Sequence, residues 1–434
     1  GRSRLKLEEN FNRILLQSQG LRDSEPEWLK CKRKEAIESI NSFGFPTTRD
    51  EEWKYTPLDE IYQTKLEMPV HFDNDLSAET LVSTSVVNEP NLLKIILING
   101  EYSRELSDLE VTRSDLIVRP LVELIENEPE AAKFLFSSDP KETFSWLNTA
   151  MARDALLITC PENRTIQKPI HLLNVMTGKR DKLVSPRIIV EANSNSKLTL
   201  IEEFVNLMPD KSLMNAATFI NAGPGSLVNH HRISGSSSGY HVGNLHCKVS
   251  RGANIFTTSL AFGGNVTRVN INVRLEQPGA SCDLSGLFLG LKDELIDHHT
   301  TIEHAASETN SNEVYKGVMG GKSKGVFNGK VLVEENIHHV KASQNSNNLL
   351  LSDVAEINTK PELEIYSDDV SCAHGATVGQ LDSDSIFYLR ARGIPEIVAK
   401  KMLVEAFLEE ALSQLPLESV KTEVMKIISK SNTL

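Results

Sequence analysis

The chain has little of what cysteine-based, nucleotide-based or membrane-based functions require. Its five cysteines, Cys31, Cys160, Cys247, Cys282 and Cys372, are scattered through 434 residues without a Cys-x-x-Cys pair. That excludes a disulfide framework and a zinc finger, and fits a reducing compartment. No run of about 18 apolar residues occurs, so no helix of this sequence is expected to span a bilayer. Positive charge is also in deficit: the net charge is −13, which argues against nucleic acid or an anionic membrane as the main partner. The one basic run, Lys30-Cys-Lys-Arg-Lys34, is followed by Glu35 and Glu38 and reads as a solvated helix face. There is no Gly-x-x-x-x-Gly-Lys-Ser/Thr loop, no Gly-x-Ser-x-Gly elbow and no His-Glu-x-x-His helix. Gly317-Val-Met-Gly-Gly-Lys-Ser323 evokes a phosphate loop, but its glycine spacing is wrong and Val326-Phe327 reads as the strand beyond it. The chain is therefore not expected to hydrolyse nucleotide or to be an enzyme. It opens Gly1-Arg-Ser-Arg, with neither Met nor an apolar signal core, and this reads as a processed or engineered end.

What is present is ordinary globular composition, 40% hydrophobic and 24% charged, in a chain long enough for two or three domains. Residues 1–150 read mostly as helices. Ser24-Glu-Pro-Glu27 has the capping-box pattern, and Leu29, Ala36, Ile37 and Ile40 then recur at helical spacing until Gly44 and Pro46. Arg49-Asp-Glu-Glu-Trp-Lys-Tyr-Thr-Pro57 reads as a charged loop docked by Trp53 and Tyr55. A further helix is expected from near Pro140 through Phe144, Trp146, Leu147 and Ala150.

Residues 151–376 change character. Short β-rich runs such as Leu156-Leu-Ile-Thr, Arg187-Ile-Ile-Val, Leu198-Thr-Leu-Ile and Val269-Asn-Ile-Asn-Val alternate with turns. The turns are Asn193-Ser-Asn-Ser, Gly223-Pro-Gly-Ser and Gln277-Pro-Gly-Ala. Gly225, Gly252 and Gly279 are each 27 positions apart, and each lies between two strands. A turn repeated at a fixed interval, with no helix between, predicts stacked coils of a β-solenoid whose two ends must be covered, a task the flanking helical segments could perform. A β-sandwich is the rival, and it suits antiparallel hairpins; Asn328-Gly329 marks at most one of these.

Residues 377–434 read as helical again. Ser385-Ile-Phe-Tyr-Leu opens one helix. In the next, from Pro395, Ile397, Val404, Leu408, Ala411 and Leu415 form one apolar stripe. Ala399, Met402, Leu403 and Ala406 form a second on roughly the opposite side. A helix with two apolar sides is either sandwiched in its own domain or shared with a partner. So short a terminal segment favours the partner. Pro416 ends this helix, and an amphipathic one follows from about Glu418 to Ile428.

Two groups carry metal-ligand chemistry. Cys372 and His374 lie two apart at the end of an extended run, so in a strand both would point to one face and could reach a single point. Gly375 and Gly379 are expected to end that strand. The histidines cluster as His230-His231, His241 with His246, His298-His299 with His304, and His338-His339. Adjacent pairs would point to opposite faces of a strand, so edge and turn roles are expected for them rather than a metal site.

Cys-Ala-His-Gly-Ala-Thr-Val-Gly-Gln-Leu-Asp382 followed by Phe-Tyr-Leu-Arg-Ala-Arg-Gly393 resembles the signature of the SufD branch of the SufB/SufD family, subunits of the SUF iron–sulfur cluster assembly machinery. His304, Ser311, Tyr315-Lys-Gly317, Val326-Phe-Asn-Gly329 and Asn348-Leu-Leu-Leu-Ser352 resemble further family elements, in order, and Glu51-Glu-Trp-Lys-Tyr-Thr56 resembles one near the start of such chains. The resemblance implies a mainly β fold: a right-handed parallel β-helix core flanked by N-terminal and C-terminal α-helical domains. It implies a non-catalytic scaffold in the cytoplasm, or a plastid stroma, that pairs with a SufB-like paralogue and docks a SufC-type ATPase. Ala399, Met402, Leu403 and Ala406 would be the ATPase contact. His374, with Cys372 beside it, would be a candidate ligand of a nascent cluster at the paralogue interface. No stably bound cofactor is expected, because iron–sulfur sites usually take four close thiolates and this chain does not supply them; a transient cluster would be shared with the partner. A homodimeric adaptor is one alternative and a β-helix carbohydrate-active enzyme another, though the latter needs acidic pairs in a cleft that the sequence does not offer.

Overall fold

The computed structural model describes residues 2–20, 24–68, 77–108, 115–137, 140–179, 181–207, 211–235 and 238–431. The N-terminal part carries α1 (Arg2–Gly20), α2 (Glu27–Phe43), α3 (Asp59–Gln63), α4 (Ala78–Thr84) and the strands β1 (Leu93–Ile98), β2 (Glu101–Tyr102) and β3 (Ile117–Pro120). Three helices follow, α5 (Leu121–Asn127), α6 (Pro129–Phe134) and α7 (Thr143–Met151). The β region then runs through β4 (Leu156–Cys160), β5 (Ile170–Met176), β6 (Leu183–Val184), β7 (Arg187–Ala192), β8 (Lys197–Asn206) and β9 (Leu213–Ala222). It continues with β10 (Leu227–Ser234), β11 (Tyr240–Val249), β12 (Asn254–Phe262), β13 (Val266–Leu275), β14 (Ser281–Gly290) and β15 (Leu295–His304). Its last strands are β16 (Asn310–Met319), β17 (Lys324–Val333), β18 (Val340–Leu350), β19 (Glu356–Ile365) and β20 (Val370–Gln380). The helices α8 (Ser383–Arg390), α9 (Glu396–Leu412) and α10 (Glu418–Lys430) complete the described chain.

The strands form two ten-stranded sheets, β2-β1-β5-β8-β10-β12-β14-β16-β18-β20 and β19-β17-β15-β13-β11-β9-β7-β4-β3 with β6 beside β9. From β8 and β9 onward successive strands alternate between the sheets, and same-sheet neighbours pair in parallel. The fold is a mainly β parallel solenoid of about eight coils with helices at both chain ends. Its interior is filled by inward positions of both sheets, among them Leu200, Val228, Ile255, Ile271, Val273, Phe288 and Phe327.

The 27-residue spacing marks one repeated conformation. Gly225, Gly252 and Gly279 have φ of 69°, 63° and 79°. Each donates its N–H to the turn of the next coil, at Arg251 (2.9 Å), Pro278 (3.2 Å) and Glu308 (3.0 Å). Asn195 and Glu308 hold the same left-handed φ in the same column. The conformation repeats, and glycine is the residue that adopts it at least cost.

Several local expectations change. Residues 1–150 are not purely helical, because β1 pairs with β5 in parallel and begins the first sheet. At α2 the cap is Pro26 and no side chain caps it. Glu25 instead binds the buried Arg33 at 2.7 and 2.9 Å, which fixes the entry to the helix. Leu29, Ala36, Ile37 and Ile40 are buried as the spacing predicts, and Gly44 (φ 77°) stops the helix. Asn328-Gly329 lies inside β17 and makes no hairpin, because the ladders to β15 and β19 run straight through it. Gly375 and Gly379 do not end β20; both are paired with β18, at Asn345 and Leu349. The strand runs on to Gln380, and Asp382 then caps α8.

The helices cover faces rather than ends. Val404, Leu408, Leu412, Val420, Val424 and Ile428 pack on Ile233, Leu260, Leu287, Leu289 and Val318, the outward residues of the first sheet. The N-terminal helices lie on the outer face of the second sheet through Leu213, Val242 and Val266. The 51–56 segment is locked there by Trp53, over which the Arg268 guanidinium stacks at 4.3 Å. Arg268 also binds Asp297 (2.7 Å) and the Glu52 carbonyl (2.7 Å), while the Thr56 hydroxyl donates to Asp297. Tyr55 is exposed, so only Trp53 of the expected pair docks.

Candidate functional site

The two ends of the solenoid differ. At the first, β1 is followed by antiparallel β2 and β4 is edged by antiparallel β3. Leu116, Tyr102 and Val118 close the interior there. At the other, β19 and β20 are the outermost strands, and among the described residues no helix packs its apolar face across them. Inward positions that are buried in every earlier coil are open here: Val378 is 43% exposed and Ile365 38%.

Cys372 and His374 stand on this open coil. β20 is extended, so the two share the inward-pointing face, in register above Ala342 and Gln344 of β18. Cys372 is half-buried against Val340 and Ala342, and burial pushes its thiol up. His374 is exposed. The same-face placement expected from the spacing is therefore present, at the solenoid terminus. Among the described residues no group of three or more His, Cys, Asp or Glu side chains converges as a metal site. The other cysteines lie elsewhere: Cys160, Cys247 and Cys282 are buried in the interior and Cys31 is exposed on α2. Burial pushes the Cys247 and Cys282 thiols far above their ordinary range.

The histidines are not edge residues. His298, Thr300, Ile302 and His304 do share one face of β15, as alternation predicts, but that face is the interior. Burial holds the His298 ring down to about 3 and the His304 ring to about 4, so both are neutral. His298 Nε2 meets the Ser259 hydroxyl at 2.8 Å, and His304 meets Thr309 and Ser311 at 2.8 and 2.9 Å. His230 reaches Glu202 at 3.1 Å, also inside. These polar side chains of the interior are partnered at the named atoms by one another. His338 and His339 do lie in a turn, His339 Nδ1 3.1 Å from Asp369.

The polar column that reaches the open end was not visible in the sequence. Glu313, Gln344 and His374 occupy one inward position on three successive coils. Gln344 Nε2 donates to Glu313 Oε2 at 2.9 Å, and the Thr300 hydroxyl donates to Glu313 Oε1. Burial without a cationic partner pushes the Glu313 carboxyl up to about 7. The available signal was alternation of Ala342, Gln344, Ser346 and Asn348 in β18, but it is polar and matches no apolar strand pattern.

The second candidate surface is on the C-terminal helices. No residue of α8 is buried. Phe387 is 73% exposed, and Tyr388, Ile397, Val398 and Met402 are exposed beside it. Of the four residues expected to form the contact, Met402 and Ala406 are exposed and Leu403 is half-buried. Ala399 is fully buried in this chain's own packing. The apolar side turned outward is thus built from Val398 and Met402 with Phe387 and Tyr388. The stripe's Val404 and Leu408 face the sheet, whereas its Ile397 is exposed.

Residues 174–407 match the family model described as the SUF system FeS cluster assembly, SufBD core domain. That match takes in the whole of the solenoid from β8 and most of α9. The chain belongs to the SufBD family. Residues 6–172 match the SufBD protein N-terminal region, which covers the helices and first strands. An iron–sulfur cluster assembly SufBD family protein of Synechocystis is 29% identical over 94% of this chain and 92% of its own length. The iron–sulfur cluster assembly protein SufD of Escherichia coli is 27% identical over 97% of both chains. Protein ABCI7, chloroplastic, of Arabidopsis thaliana is 24% identical over 90% of this chain. No described helix is long and apolar enough to cross a membrane.

Proposed function

We propose that this SufBD protein is a non-catalytic scaffold that presents its open solenoid end to a SufB-like paralogue. The observation that carries the reading is the unpaired β20 edge bearing Cys372 and His374 on one face. An unpaired strand supplies main-chain donors and acceptors for another chain, and the open Val378 and Ile365 supply apolar area. The nascent iron–sulfur cluster is the cargo. His374 offers an imidazole and Cys372 a thiol, and the partner supplies the remaining ligands. The exposed apolar side of α8 and α9 docks a SufC-type ATPase, which provides the energy. The compartment is the cytoplasm or a plastid stroma, in keeping with bacterial and chloroplastic relatives.

The test uses the complex of the three chains. His374→Ala is expected to leave assembly intact and lower the iron and acid-labile sulfide recovered after reconstitution; full recovery would remove the ligand role. Met402→Asp is expected to weaken capture of the ATPase with an unchanged thermal transition, since an unpaired carboxylate in an interface costs several kcal/mol. The same open edge favours a second reading, a homodimer in the absence of the paralogue. Sedimentation of the isolated chain checks it.

A further inference from the structure

Gln344 is the residue at which the buried interior and the open end meet. Its side chain is 1% exposed, directly beneath His374 in the parallel register, about 4.8 Å away strand to strand. Its amide is oriented from below. Glu313 Oε2 accepts the Nε2–H at 2.9 Å, and the other carboxyl oxygen takes the Thr300 hydroxyl. Toward the ionised Glu313 the amide turns its nitrogen, and the carbonyl Oε1 faces away from it. That oxygen is buried and has no hydrogen-bond partner. A buried carbonyl left without a donor costs about 1–3 kcal/mol, so a donor that can reach it is favoured. The next side chain in the column is the His374 ring, which is exposed and free of the packing that would hold it elsewhere.

We propose that Gln344 is a positioning residue for His374: its Oε1 accepts one ring N–H and leaves the lone pair of the other nitrogen directed out of the open end. This rests on the reading of His374 as a ligand, and it adds the reason one tautomer is presented. An imidazole that ligates through one nitrogen is fixed by the hydrogen bond made at the other. Glu313 acts one step further back, by holding the amide the right way round. The fold makes room for this column across the interior. A Cβ on Gly329 would stand 2.0 Å from Gln344 Nε2, so the glycine in β17 is what lets the amide lie where it does.

The experiment is nitrogen-15 NMR of the full chain labelled at its 12 histidines, with the His374 signals identified by their loss in His374→Ala. In the parent chain the two ring nitrogens are expected to be well separated, one protonated and one bare. In Gln344→Leu they are expected to converge toward tautomer-averaged values, while the thermal transition of the variant reports the fold. Gly329→Ala, which displaces the amide without changing the column, is expected to give the same convergence and serves where Gln344→Leu does not fold. Unchanged His374 signals in the folded variant overturn the proposal. The spectra are independent of cluster loading. Loss of the ligand role in the His374→Ala reconstitution therefore overturns the functional reading alone, and the Gln344 coupling is judged separately.

Discussion

The two ends of one solenoid solve the same physical problem in opposite ways. Every coil has unpaired edge groups and an apolar face that only a neighbour can satisfy. At the first end the chain supplies that neighbour itself, with antiparallel β2 and β3 and the plug of Leu116. At the other end the last coil is left with its inward side open and two candidate ligands on it. The helices that could have covered it lie along the outer faces instead. A stable protein can carry one open end because the rest of the stack is closed. On the proposed reading the open end is a binding surface rather than a defect.

The sharpest test of this difference places the same substitution at both ends. Ile95→Asp puts a carboxylate into the closed end, where Ile95 is fully buried. The expected cost is more than about 5 kcal/mol, enough to unfold a typical domain. Val378→Asp on the open coil is expected to change the stability of the isolated chain by no more than about 0.5 kcal/mol, and to abolish pairing with a partner or second copy. Urea titration with sedimentation reads both. Equal destabilisation at the two ends would remove the contrast.

A smaller effect is expected at the clamp that holds the 51–56 segment on the second sheet. Asp297→Asn leaves the buried Arg268 without its charge partner and is expected to cost about 3–5 kcal/mol at neutral pH. Burial alone would raise the Asp297 carboxyl, but Arg268, His299 and the Thr56 hydroxyl hold it below the ordinary carboxylate range. Its folded pKa is therefore the lower one. Its stabilisation is fully present above the unfolded value near 4 and fades as pH falls through the folded value. The Asn variant should lack that acid-sensitive component. Hydrogen exchange of residues 51–56 is expected to rise in parallel.

The smallest of the three concerns Glu313, two coils beneath the open end. Its folded pKa, about 7, is above the unfolded value near 4.3. Its contribution is greatest below that unfolded value and is lost as pH rises through about 7. Glu313→Gln is expected to flatten the pH dependence of stability over that window. Above pH 7 it should regain about 3–4 kcal/mol relative to the parent, read by urea titration at pH 5 and pH 8. A parent chain whose stability is level across the window would show that the carboxyl is already paired.

Legibility in the sequence followed the chemistry of the side chains. Val269-Asn-Ile-Asn-Val alternates apolar and polar, and it is a strand. The 27-spaced glycines mark a column of left-handed turns because few residues adopt that conformation cheaply. Alternation also placed Cys372 and His374 on one face, since strand period depends on the backbone and on nothing distant. Strand β18, Val-Lys-Ala-Ser-Gln-Asn-Ser-Asn-Asn-Leu-Leu, was opaque. Its inward Gln344 and Ser346 meet partners from other strands, Glu313 and Thr359, which no local pattern records.

The apolar stripes of α9 were readable in the same way, because helix period is equally local. They could state that Val404 and Leu408 bury, but not against what. Ala399 and Met402, grouped on one side by their spacing, are separated by the fold into a buried and an exposed residue. Which surface meets which, where the stack ends, and which buried oxygen stands beneath His374 depend on contacts between residues tens to hundreds of positions apart. Those contacts exist only once the coils are stacked, whereas turn conformation and side-chain direction are set within a few residues of each position.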